Sequence, residues 1–168
     1  PERMEPHEIG RLGADAVALT HGDPSTFLAG AVLAYVIAGV VQDPDTSLRD
    51  HFMQAAEVVV AQFGQNYPQA VELKQQLSRA RILANGGNLS RQVAMEHLKC
   101  TTAAEVLAGA MYACLTSPED FDAAMITAVN HSGRSSAVGA VVGAILGARL
   151  GEEALPEFYL ECLEPADV

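Results

Sequence analysis

Two short stretches hold more polar chemistry than helix packing requires. The first is LTHGDPS, residues 19–25, a turn with a histidine just ahead of a strongly apolar run. There, Thr20 or Asp23 is placed to cap the next helix, and Gly22 to turn the chain. His21 either makes local hydrogen bonds or, with the nearby backbone, meets a ligand. The second is NHSGRSS, residues 130–136. Gly133 permits tight backbone geometry, and Ser135 and Ser136 are of capping type. A helix that starts here offers unpaired N–H groups and a partial positive charge, which suit an anion such as phosphate. Arg134 is the anomaly, because a cation at a helix N-terminus costs about 0.3–1 kcal/mol. It fits that place if an anion or a carboxylate sits there too and is held bidentately. Otherwise it is a solvated loop side chain. The candidate ligand set is Thr20, His21, Gly22, Asn130, His131, Ser132, Gly133, Arg134, Ser135 and Ser136.

Little else in the chain has the spacing of a site. His7, His51, His97 and His131 have no second His or Cys at metal-ligand spacing. There is no Gly-x-Ser-x-Gly elbow, no phosphate loop and no dinucleotide fingerprint. Cys100, Cys114 and Cys162 are odd in number and form no CxxC pair. That disfavours a disulfide framework or a zinc site and points to a reducing cytoplasm. The opening, PERMEPHEIG, is polar and acidic and unlike a secretory signal. Gly139, Gly143 and Gly147 recur every four residues. Each costs a helix about 0.5–1 kcal/mol relative to Ala, so the three predict close approach by another helix.

Helices must position these residues. The periodicity predicts a helix over 6–20 with Ile9, Leu12, Ala16 and Leu19 on its buried stripe. Pro24 suits the first turn of a helix over 24–41 that is apolar almost all round and therefore central. Its most apolar part, residues 27–41, is about 15 residues long, short of the roughly 20 that span a bilayer. A helix over 47–63 carries the stripe Leu48, Phe52, Ala55, Val59 and Phe63. A more exposed one over 68–84 ends at NGGN. Ser90 caps a short helix through Leu98. Thr102 and Glu105 have capping-box spacing ahead of residues 103–115, as do Ser117 and Asp120, with Pro118 at the first helical position. The helix after residue 134 and the run EALPEFYLECL follow. No stretch alternates as a strand does, so the expectation is one all-α domain over 1–168 with eight or nine helices.

Composition narrows the partners. The chain has 168 residues, 49% of them hydrophobic but only 5% aromatic, so close, Ala-rich helix packing is expected. The formal charge is −11, from 21 acidic and 10 basic residues. A general nucleic-acid binder needs a basic face, and an anionic membrane surface would repel this chain.

Taken together, the motifs resemble the ADP-ribosylglycohydrolase family. They are Thr20-His21-Gly22-Asp23-Pro24, then AAEVLAGAMYACL (103–115), then FDAAMITAVNHSGRSSAVGAVVGAILGA (121–148). The resemblance implies a compact multi-helix bundle and the C-terminal half of a typical member, without the family's Thr-Asp-Asp motif. It implies hydrolysis of the glycosidic bond between ADP-ribose and a modified side chain, with two magnesium ions. The family's matching metal ligands fall on Arg134, Ser136 and Ala137 here. The expectation is therefore no magnesium site and no activity of the chain alone. ADP-ribose or a related nucleotide, held near Arg134 and His21, is the expected ligand. The alternative to an incomplete hydrolase is a non-catalytic domain that binds ADP-ribose or another nucleotide, or a protein-interaction domain. An apolar surface left open by a partial fold would be covered by a second copy or a complementary chain.

Overall fold

The computed structural model describes residues 4–161, with nine α-helices, one 3-10 turn and no strand among them. The helices are α1 (Pro6–Ala18), α2 (Pro24–Gln42), α3 (Leu48–Phe63), α4 (Gln69–Gly86) and α5 (Arg91–Leu98). They continue with α6 (Ala103–Thr116), α7 (Phe121–Val129), α8 (Ser135–Leu150), the 3-10 turn Glu152–Ala154 and α9 (Glu157–Glu161). Cys162 and Leu163, the last two residues of EALPEFYLECL, lie outside the described residues, as do the two ends of the expected 1–168 domain.

Most boundaries follow from capping. Asp23 accepts from the Thr26 amide at 3.1 Å and opens α2, with Pro24 in the first turn. Ser47 and Ser90 cap α3 and α5 in the same way. Thr102 and Glu105 form a reciprocal box at the start of α6, and Gly87 ends α4 with φ +61°. Two starts differ from expectation. Helix α7 begins at Phe121, not Pro118, because the Asp120 carboxylate takes the Ala123 amide at 2.9 Å. Ser117 caps nothing, and its hydroxyl is buried without a partner. At α8 the capping position is Arg134, and no side chain caps the helix. The Ser135 hydroxyl instead donates backward to the His131 carbonyl at 3.0 Å.

Helix α2 runs through the centre and touches α1, α3, α4, α6 and α8. It is long and apolar enough to cross a bilayer, but Leu28, Val32, Val36 and Val40 are sealed against these neighbours. Helix α6 is buried from Val106 to Cys114 and forms the second axis of the core.

The tightest helix crossing is α1 on α2. A Cβ on Gly13 would stand 2.6 Å from the Ala34 Cβ and 2.8 Å from the Gly30 carbonyl, and one on Gly30 would strike Val17. This contact corrects the expected stripe of α1. It turns the small face of α1 inward, so Ala14 is buried while Leu12 and Leu19 are 50% and 85% exposed. The predicted stripe of α1 faces outward because backbone can approach backbone only where Gly13 and Gly30 remove both side chains. The four-residue glycine spacing of α8 gives close approach at one position only: Gly139 packs on Val129 and Met125 of α7, while among the described residues nothing lies within 4 Å of a Cβ built on Gly143 or Gly147.

Candidate functional site

A cleft of about 990 Å³ opens where five segments converge. One wall is the end of α1 with Thr20 and His21, continued by Asp23, Ser25 and Thr26 at the start of α2. Opposite stand Thr101, Thr102 and Glu105 at the start of α6, and Arg134, Ala137 and Val141 of α8. Gln69, Glu72 and Gln76 of α4 form a polar end, and Ala29, Leu33, Leu73 and Leu107 an apolar floor. A cleft of this size with polar walls over an apolar floor suits a small-molecule ligand. Of the ten candidate residues it brings together Thr20, His21 and Arg134; Gly22 and residues 130–133, 135 and 136 do not line it.

Those remaining residues hold the loop in shape. The Asn130 amide nitrogen donates to the Ile126 carbonyl at 2.7 Å. The Gly133 amide donates to His131 Nδ1 at 3.0 Å, which requires that nitrogen to be unprotonated. His131 Nε2 then carries the hydrogen and donates to the Ala128 carbonyl at 2.9 Å. Ser132 donates its amide at 2.8 Å and its hydroxyl to the Glu96 carboxylate. These bonds, from Ser132 first, hold the Glu96 carboxyl below its ordinary range.

Beneath the loop lies a strained turn. Lys99 and Cys100 have φ +63° and +54°, though neither is glycine. The Cys100 amide donates to the Leu98 carbonyl at 2.7 Å, closing a γ-turn around Lys99. Such backbone costs about 1–3 kcal/mol per residue and persists only where its surroundings over-determine it. Here the Cys100 carbonyl accepts the Arg134 amide at 2.8 Å. Gly133 packs so closely on the Lys99 and Cys100 carbonyls that a Cβ would collide with them. The glycine is needed for that approach, and its φ is not left-handed. The Cys100 thiol is sealed in the core, and burial pushes it up to about 12, so it stays a neutral packing group.

The groups left for a ligand are few. Asp23 is committed to capping α2. Burial raises the Glu105 carboxyl, but hydrogen bonds from Thr101 and Thr102 outweigh it and leave the group below its ordinary range. Arg134 makes no hydrogen bond or ion pair through its guanidinium among the described residues, and it stands at the uncapped start of α8. His21 shares a hydrogen with Thr20 at 2.8 Å and is otherwise exposed. Glu96, Lys99 and Cys100 escaped sequence reasoning because no motif marks them and their partners lie more than thirty residues away. Thr102 and Glu105 were legible as a cap but not, with Thr101, as a cleft wall.

A family model for ADP-ribosylglycohydrolases matches residues 3–168. The chain belongs to the ADP-ribosylglycohydrolase family. No curated protein and no solved structure matches it. At the positions that the resemblance matches to the family's metal ligands, this family member holds a guanidinium, a hydroxyl and a methyl group (Arg134, Ser136, Ala137). Magnesium takes oxygen ligands, usually carboxylates, so this donor set does not fit it. Among the described residues, no three His, Cys, Asp or Glu side chains gather as a metal site.

Proposed function

We propose that this family member binds ADP-ribose or a related nucleotide in the 990 Å³ cleft through its phosphates, without magnesium, and does not by itself hydrolyse ADP-ribosyl bonds. One observation carries the reading. The unpaired Arg134 guanidinium and the uncapped N-terminus of α8 lie on the same cleft as His21. Arg binds phosphate bidentately, and helix amides add to it. Although Asp23, Glu72 and Glu105 also line the cleft, a dication is disfavoured directly beside the Arg134 guanidinium. Two unit charges about 4 Å apart at an effective dielectric near 20 interact by roughly 4 kcal/mol, and a dication facing Arg134 would meet about twice that in repulsion.

The alternative, a non-catalytic interaction domain, draws support from the exposed Leu12 and Leu19 on α1, which a second copy or a complementary chain would cover. A thermal-shift comparison of ADP-ribose with adenosine separates the two. ADP-ribose at a hundred times its Kd adds about 2.7 kcal/mol of stability. It should raise Tm by several degrees, while adenosine, lacking phosphates, should do far less. No shift with either ligand would favour the interaction domain.

A further inference from the structure

We infer that Glu96 is a positioning residue for the ligand site: through Ser132 it holds the backbone that carries Arg134. The inference rests on the anion-binding reading of Arg134. Glu96 does not line the cleft, so it acts only through the loop. Its carboxylate accepts two hydrogens from Ser132, one from the amide and one from the hydroxyl. Both residues are exposed and 36 positions apart, so no packing demand brings them together. Hydrogen bonds to an ionised acceptor are the stronger kind, and two to one carboxylate fix orientation as well as distance.

The second anchor comes from the same end of α5. Two residues beyond Ser132, the Arg134 amide donates to the Cys100 carbonyl, itself aimed by the positive-φ turn at Lys99 and Cys100. Gly133, between the anchors, is pressed against that turn. Residues 132–134 are thus pinned at both ends. Releasing the Glu96 end leaves the Cys100 carbonyl as the one hydrogen bond from the α5 side to residues 132–134 among the described residues. Arg134 is otherwise bonded only into α8 through Val138, so the backbone that aims its side chain is freer to shift. Asn130, His131 and Ser135 do not replace this anchor, since they bond only within the loop or back to α7.

The test combines binding with amide hydrogen exchange on the full chain. Glu96→Ala should weaken ADP-ribose roughly ten-fold, the loss typical of a hydrogen bond to a charged group. Glu96→Gln keeps one acceptor oxygen and should fall between Glu96→Ala and wild type. Ser132→Ala should add nothing to Glu96→Ala, since both act through one link. In Glu96→Ala the Ser132 and Arg134 amides should exchange faster while the melting temperature barely moves. Wild-type affinity in Glu96→Ala would overturn the inference. If wild type takes no ADP-ribose, the binding reading falls; faster exchange at Ser132 and Arg134 would then still support positioning, and unchanged exchange would overturn it.

Discussion

The two polar stretches that meet at the cleft are held in opposite ways. The His21 turn is built from local bonds: Thr20 to His21, and Asp23 to Thr26. The 130–134 loop is tied to chain more than thirty residues away, by Glu96 to Ser132 and Cys100 to Arg134. The first stretch is exposed and can adapt to a ligand. The second is preformed, and it carries the cation. A site that fixes the backbone carrying its cation lowers the ordering cost where the charge sits.

Substituting the two glycines should break this contrast most visibly. Gly133→Ala drives a Cβ into the Lys99 and Cys100 carbonyls, which cannot withdraw without losing the Arg134 bond. Overpacking of this kind costs about 1–3 kcal/mol, and urea denaturation should show it. Gly22→Ala meets nothing within 4 Å and has no left-handed φ to lose, so its stability should stay within about 0.5 kcal/mol of wild type. Equal losses at both positions would mean that the two stretches are not held differently.

Capping gives a middle-sized effect. Asp23→Ala removes the acceptor of the Thr26 amide and should cost about 1 kcal/mol. Because that bond is local, Ser132 amide exchange should not change. Altered exchange there would show that the two stretches are coupled.

Acid gives a smaller, local effect. The Glu96 carboxyl is lowered by its bonds to Ser132 and faces His131 from the loop and Cys100 beyond its own helix. A lowered folded-state value means that the link is intact above the ordinary carboxylate range and is lost as pH falls through the lowered value. The Ser132 amide resonance should titrate there, while that of Gly22 should not follow it.

How much of this was legible depended on whether the deciding contact was local. The caps at Asp23, Ser90 and Thr102 could be read because a cap and its partner lie within one turn. The all-α class followed from the same periodicity. The orientation of α1 could not be read, since Leu12 and Leu19 have the spacing of a buried stripe and only the Gly13–Gly30 crossing turns them outward. At the site, Arg134 and His21 could be named from the motif. Their support at Glu96, and the turn at Lys99 and Cys100, could not: an exposed glutamate is unremarkable in sequence, and positive φ at a lysine has no residue-type signal.

The central claim is anion recognition by Arg134 in place of a metal. Calorimetry of ADP-ribose binding tests it directly, with wild type and Arg134→Ala each measured in magnesium and in chelator. The account predicts one wild-type Kd in both buffers and at least a roughly ten-fold weaker Kd for Arg134→Ala. Wild-type binding that needs magnesium, or an Arg134→Ala chain that binds as wild type does, would contradict it.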